Sequence, residues 1–408
     1  MKALVLAGGF PQIALIKELK KREITVLLAD YNEEPVAKKY ADKYYQVSTL
    51  DVDAIKKIAE DESVDFLITA CTDQALHTVA KVSEDLGLPC YIDYKTARDV
   101  TNKAYMKKVF IENNVSTAKH VTMAELDKDK ISDMRFPLIV KPADCNSSKG
   151  VKRVEDMAEL ETAFADAVNF SRTNTAIVEE FISGTELSID VYVEEGKANV
   201  LSVCKLDKIA DKDKFVIFRG WYNPKEAQAV MHKIEKTAQQ IADAFNLKNT
   251  PMLIQLMTDG ENVYVLEFSA RTGGGIKYLL IETASGFDVI SAVVDLTMGI
   301  KPHFERKESK IKYIINDFIY CKPGVFDHLE GFEELVKKGT LHDYYQFKWK
   351  GASFDSITSS GDRVGGYTVC ADDFETLVQK HKEVNSKIKV IDSDGNDMMR
   401  HDLITELV

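Results

Sequence analysis

Apolar runs at residues 3–6, 25–29, 66–69 and 89–92 are each of strand length and alternate with charged stretches of helical period, such as 12–21. Strand, helix and strand in that order make a βαβ unit. Its repetition predicts a small doubly wound parallel sheet, a Rossmann-like unit over residues 1–94. The pattern then changes. A helix over 103–113 leads to a strand at 136–142 closed by proline, an amphipathic helix over 157–170, and strands at 175–182 and 186–193. After a polar region the spacing predicts a long helix over 225–245 and two strands joined by Asp259-Gly260-Glu261. From about residue 301 a further α+β unit runs to a strand at 387–392. The expected organisation is therefore α/β and α+β, divided at 1–94, 95–185, 186–300 and 301–408.

Composition narrows what such a chain can do. Its 408 residues exceed what one hydrophobic core organises, and 45% hydrophobic with 29% charged residues is the balance of a globular enzyme. A formal charge of −12, with no long Lys/Arg block, opposes a nucleic-acid partner. An acidic protein can still hold a nucleotide if a few cations gather in one cleft. The six cysteines are scattered without Cys-x-x-Cys or zinc spacing, the N-terminal apolar run is too brief for a signal-peptide core, and no span of about 20 apolar residues follows. A cytoplasmic protein without a membrane partner is expected.

Candidate chemistry falls at strand ends. Gly8-Gly9 occupies the place of a dinucleotide phosphate loop, but Pro11 breaks the Gly-x-Gly-x-x-Gly pattern, so a tight strand-to-helix turn explains the glycines better. Lys141 at a strand end faces a small-residue loop, Ser147, Ser148, Lys149 and Gly150, whose backbone N–H groups could cradle phosphate oxygens; it is not a Walker sequence. The strand ending in Glu179, Glu180, Phe181 and Ile182, followed by Glu186, could offer backbone groups to a base edge and a carboxylate to a ribose; an acidic surface hairpin competes with that reading.

The most informative stretch is Val263 to Gly275. Alternation places Glu267, Ser269 and, if the strand continues, Arg271 on one face, with Leu266 and Phe268 toward a core. A three-residue loop would set Gln255 on the same face as Val265 and Glu267. Carboxylate, amide and hydroxyl oxygens suit Mg²⁺, and a guanidinium beside them suits a transferring phosphoryl group.

In their order and spacing these segments resemble the ATP-grasp superfamily, which includes biotin carboxylase, carbamoyl-phosphate synthetase and the amino-acid ligases, over most of the chain. The resemblance implies an ATP-dependent C–N ligase that activates a carboxylate as an acyl phosphate and joins it to an amine. The cofactors would be ATP and Mg²⁺, with room for two ions and Mn²⁺ as a substitute, and a homodimer is among the assemblies open to it. It implies that Lys103 and Lys141 contact phosphates, that 147–150 form a loop over them, and that 179–182 contact adenine with Glu186 on the ribose. Glu267, Gln255 and Ser269 would face metal, and Arg271 with Lys141 would be catalytic. Two positions depart from the family pattern: Gln255 stands where many members carry glutamate, and Ser269 replaces the usual asparagine. Lys208 and Arg219 are further candidates for substrate or phosphate contacts, and Arg363 for reaching the cleft. Carboxyphosphate chemistry, a degenerate ATP-binding regulator and an NAD-linked dehydrogenase are the alternatives.

Overall fold

The computed structural model describes residues 1–145, 150–209, 215–307, 309 and 311–407. Strands β1 (Lys2–Leu6), β2 (Thr25–Asp30), β3 (Lys43–Gln46) and β4 (Phe66–Ile68) form a parallel sheet of order β3-β2-β1-β4. Both faces of the inner strands are covered, and Leu4, Val5, Leu28 and Ala29 are fully buried, which is why they read as unbroken apolar runs. Strand β1 has β2 on one side and β4 on the other. The crevice outside the carboxyl ends of β1 and β4 is therefore a topological switch point, bordered by Gly8-Gly9 and by residues 69–73.

The apolar run at 89–92 is not a strand. Gly87 ends the helix Asp73–Leu86 in the left-handed conformation (φ 65°), and the run that follows lays Cys90, Tyr91 and Ile92 against the core of the next unit. Its hydrophobicity reflects that packing rather than sheet pairing. The fourth strand of the sheet is instead the polar, edge-lying β3, whose composition carries little strand signal.

Strands β5 (His120–Met123), β6 (Leu138–Pro142), β7 (Lys152–Val154) and β8 (Ala176–Glu180) make an antiparallel sheet of order β5-β8-β6-β7. The helix Met157–Phe170 buries Leu160, Ala163, Phe164 and Ala167 against it, and Asp156 caps that helix by accepting from Glu159 N at 2.9 Å.

The remaining strands are β9 (Thr185–Glu194), β10 (Lys197–Lys208), β11 (Ile217–Tyr222), β12 (Thr250–Thr258), β13 (Val263–Ser269), β14 (Tyr313–Ile319), β15 (Gly324–Glu330), β16 (Asp343–Gln346), β17 (Ser353–Phe354), β18 (Gly365–Ala371) and β19 (Lys389–Asp392). One antiparallel sheet of eight strands has the order β13-β12-β9-β10-β11-β14-β18-β16, and β17-β15-β19 form a small sheet beside it. Pairing of β11 with β14 carries the large sheet continuously across residue 300, so that expected division is not a break in hydrogen bonding. The helix Lys225–Ala244 covers one face through Ala227, Val230, Ile234, Ala238 and Ile241, at three- and four-residue spacing. It meets Leu187, Ile189 and Val191 of β9. Full burial of a residue such as Ile234 is worth about 1.5–3 kcal/mol. This packing fixes which face of β9 is core and leaves Glu186, Ser188 and Asp190 on the other.

The β12–β13 hairpin differs from the expected register. Thr258 pairs with Val263, so the loop is the four residues 259–262, which alone would turn Gln255 and Glu267 to opposite faces. A bulge corrects the parity: Leu256 pairs with Val265, but Gln255 pairs with Glu267. Leu266 is the extra residue. It lines the cleft instead of entering the core, while Val265 is buried with Leu256.

Candidate active site

A cleft of about 910 Å³ lies between the small sheet and the large one. Lys141, at the end of β6, and Glu267, at the end of β13, line the same cleft from its two sides. Glu179 to Ile182 follow β8 along one wall, Glu186 and Gln255 lie on the other, and Lys103 opens the helix Lys103–Glu112 between them. Asn102 caps that helix, accepting from Tyr105 N at 3.0 Å, and so fixes where Lys103 projects.

The charges are interlocked. Lys141 Nζ lies 2.5 Å from Glu179 Oε1, and Lys107 Nζ lies 3.0 Å from Glu179 Oε2. Burial alone would raise the Glu179 carboxyl, but Lys107 and Lys141 outweigh it and hold the group down at about 2. Two buried ammonium groups share one carboxylate, so one is under-compensated; burial, with Lys141 nearby, draws Lys107 down to about 8. Lys107 is missing from the sequence reading although it stands four positions after Lys103, on the same helix face.

Lys103 Nζ reaches Glu267 Oε2 at 3.1 Å and donates to Cys145 O at 2.7 Å. Burial works to raise Glu267, and Lys103 and Lys141 override it, leaving the carboxylate below its ordinary value. Gln255 donates its amide to Glu186 Oε1 at 3.3 Å, which leaves the amide oxygen beside Glu267 as an acceptor. Among the described residues no three carboxylate, imidazole or thiol groups converge as a self-sufficient metal site. One carboxylate and one amide oxygen in a roomy cleft suit an ion completed by nucleotide phosphates and water.

Several expected residues are placed differently. Arg271 does not line the cleft; the strand stops at Ser269, and the guanidinium is held by Asp73 at the start of the helix Asp73–Leu86. Ser269 does not line the cleft either; it lies near Asp73, whose carboxyl it helps hold down, and is not presented with Gln255 and Glu267 as a ligand. Glu180 lines the cleft while pairing with Arg135 at 3.2 Å. Lys208 lines the cleft and pairs with Glu186. Arg219 does not; it is buried on Asp317 (2.6 and 2.8 Å) with His381 in the adjoining core. Arg363 packs over Phe318 and donates to Tyr320 Oη, away from the cleft. Ser147, Ser148 and Lys149 lie outside the described residues; Gly150 (φ 70°) abuts Pro142. The C-terminal segment supplies an unexpected wall, Arg400, Asp402, Leu403 and Thr405, anchored where Arg219 donates to Thr405 O at 2.9 Å. Nothing in its local sequence marks it, because proximity to the cleft is set by the fold alone. At the switch point, Gly8 N donates to Asp30 Oδ2 at 2.7 Å and a Cβ there would come within 2.5 Å of Pro35, so the chain's own groups close the Gly8-Gly9 turn.

The sequence of residues 134–278, which includes Lys141, Glu179 to Glu186, Gln255 and Glu267, matches a known family described as the ATP-grasp domain. Those residues carry an ATP-grasp domain. ATP-grasp relatives include the phosphoribosylamine–glycine ligase of Lactococcus lactis, 23% identical over 99% of each chain. The D-alanine–D-alanine ligase of Clostridium beijerinckii is 23% identical over 72% of this chain and 97% of its own. Among solved structures, the L-amino acid ligase from Bacillus licheniformis superposes with a TM-score of 0.78 at 18% identity, over 96% of this chain and 98% of that one. The biotin carboxylase domain of Hydrogenobacter thermophilus 2-oxoglutarate carboxylase, crystallised with MgADP, ADP and bicarbonate, gives 0.78 at 15% identity over 99% and 92%. At these identities the structural likeness establishes the fold.

Proposed function

We propose that this ATP-grasp chain is an ATP- and Mg²⁺-dependent ligase that activates a carboxylate as an acyl phosphate and couples it to an amine. The observation that carries the reading is the shared cleft, with Lys103 and Lys141 facing Glu267 and Gln255 across a space large enough for a nucleotide. A substrate carboxylate oxygen attacks the γ-phosphorus, the bond to the β,γ-bridging oxygen breaks, and ADP leaves. The amine nitrogen then attacks the acyl carbon, phosphate departs with the carbon–oxygen bond pair, and the nitrogen gives up a proton. No nucleophilic side chain is needed.

In this reading Lys141 and Lys103 bind phosphate oxygens, Glu179 to Ile182 border the adenine, and Glu186 receives ribose hydroxyls, while Arg271, held by Asp73 off the cleft lining but within electrostatic reach of Glu267, is assigned the charge developing at the phosphoryl acceptor. Glu267 and the Gln255 amide oxygen would hold magnesium, which when bound offsets the phosphate charge. Lys103 lies on Glu267 and Lys141 on Glu179, so each lysine exchanges a carboxylate partner for phosphate when the nucleotide enters. The parallel sheet and the small antiparallel sheet support the first two proposed units, a Rossmann-like unit and a grasp subdomain, whereas the eight-stranded sheet spans the proposed second grasp subdomain and the C-terminal unit. No helix among the described residues is long and apolar enough to cross a membrane.

Phosphate release measured over a matrix of amino acids, hydroxy acids, sugar acids and amines, with mass spectrometry of each active combination, tests the reading. Acid-dependent ADP formation with an amide product is expected. Turnover that needs bicarbonate and no organic acid would move the assignment to carboxyphosphate chemistry, and ATP binding without turnover across the matrix would end it.

A further inference from the structure

The charged cluster beside the cleft holds one more cation than the nucleotide reading uses. Lys103 and Lys141 line the cleft, and each rests on a carboxylate, Lys103 on Glu267 and Lys141 on Glu179. When both lysines turn to phosphate, Glu267 faces the proposed magnesium. Glu179 has no such replacement in the ligand: it is 3% exposed, and a buried carboxylate stripped of its countercharge is strongly unfavourable. That penalty opposes any movement of Lys141 toward a phosphate. The nucleotide reading therefore requires a second cation at Glu179.

The fold supplies one. Lys107 lies one turn after Lys103 on the same helix face, is 1% exposed and is not part of the cleft lining. Its Nζ stands 3.0 Å from Glu179 Oε2, yet that oxygen makes no hydrogen bond. The Lys107 ammonium donates instead to Thr117 Oγ1 at 2.5 Å and to Val265 O at 3.4 Å. Lys141 holds the other oxygen, Oε1. An ammonium carries three N–H groups, so a small rotation brings one of them onto Oε2 with the lysine stem in place. His120 stands opposite Glu179 on β5, but its ring lies against Ala118 O and burial keeps its titration below the ordinary value, so it brings no charge at neutral pH.

We propose that Lys107 is a positioning residue that takes over Glu179 when Lys141 swings onto a nucleotide phosphate, so that the exchange leaves no buried charge unpaired. The proposal rests on the nucleotide reading of the cleft and adds the device that lets its phosphate-binding lysine move. Lys107, Lys141 and Glu179 together carry one surplus positive charge, and that surplus is what phosphate receives. Without Lys107 the remaining pair is neutral, and phosphate must compete with a buried carboxylate for the one cation.

The test is equilibrium binding of ATP with Mg²⁺, read by titration calorimetry on the full-length protein at pH 7, where Lys107, drawn down to about 8, still carries its charge. Wild type, Lys107→Met, Glu179→Gln and the double variant are compared. Lys107→Met should raise the Kd for ATP by about tenfold or more while Glu179 is present. In the Glu179→Gln background, where Lys141 has no carboxylate to leave, the same change should shift Kd by less than about threefold. A lysine that merely supports the fold would weaken binding equally in both backgrounds, so equal losses overturn the proposal, as does a Lys107→Met protein that binds ATP like the wild type. A crystal structure of the wild-type protein with Mg²⁺ and a non-hydrolysable ATP analogue needs no variant to fold. Lys141 should lie on phosphate with Lys107 hydrogen-bonded to Glu179, and a complex in which Lys107 makes no hydrogen bond to Glu179 overturns the proposal while leaving the nucleotide reading intact. Wild-type protein that binds no ATP sinks the nucleotide reading and the proposal with it.

Discussion

The guanidinium of Arg271 meets the carboxylate of Asp73 edge to edge, Nε to Oδ1 at 2.8 Å and Nη2 to Oδ2 at 2.5 Å, across 198 positions of sequence. Its Nη1 donates to Thr272 O at 2.8 Å, so the plane of the group is fixed while one N–H on each terminal nitrogen is left to point elsewhere. Burial would raise the Asp73 carboxyl, but Arg271 outweighs it and keeps the group ionised below the ordinary range. The N-terminal unit thus orients a residue of the grasp unit.

For Arg271→Ala, turnover should fall by about two orders of magnitude or more with little change in ATP affinity, as for a group acting mainly in the transition state. Asp73→Asn should reproduce part of that loss in kcat because the guanidinium is no longer clamped. Steady-state kinetics and equilibrium ATP binding separate the two quantities, and near-normal kcat in Arg271→Ala would remove the residue from the mechanism.

Glu267 is the sole carboxylate of the Gln255–Glu267 pair, so Glu267→Gln should raise the Mg²⁺ concentration needed for half-maximal activity by about tenfold or more. A metal titration of ATPase or ligase turnover reads this directly. An unaltered metal requirement would take Glu267 out of the site.

Glu179 is the common partner of two buried lysines, which makes its loss costlier than the loss of either lysine. Glu179→Ala leaves both cations uncompensated and should destabilise the fold by about 3–5 kcal/mol. Lys107→Met keeps the Lys141–Glu179 pair and should cost less. Urea unfolding of the two variants gives the order, and the reverse order would contradict the shared-carboxylate arrangement.

The same carboxylate gives a pH signature. With the folded value near 2 and the ordinary value at 4.5, the unfolded chain takes up the proton first as acid is added. Its contribution is therefore present above about pH 4.5 and is lost as pH falls toward 2. Lys107, depressed to about 8 from 10.5, works the other way: its contribution improves as pH rises between those values. Stability measured against pH for Glu179→Gln should show a smaller acid-side loss than the wild-type protein, the remainder coming from other depressed carboxylates such as Asp317.

At Gly273 there is no room for a Cβ beside Asp190 and Lys277. Gly273→Ala should lower stability by about 1–3 kcal/mol through forced displacement of those side chains. Gly274→Ala, with open space around it, should be close to neutral, and thermal unfolding of the pair checks the contrast.

The local sequence was sufficient for what depends on neighbours along the chain. Period-two alternation put Glu267 and Ser269 on one face, proline closed β6 at Lys141, and three- and four-residue spacing defined the helices, because strand pleat and helical pitch are properties of short segments. What depends on meetings between distant segments was decided by the tertiary structure. Gln255 and Glu267 share a face through a bulge that no spacing rule revealed, the run at 89–92 is apolar because of a neighbouring core, Asp73 and Lys107 acquire partners far away in sequence, and the C-terminal residues 400–405 reach the cleft. A side chain's chemistry is written in its own identity. Its partner, its burial and hence its charge are set by which distant segments the fold brings against it.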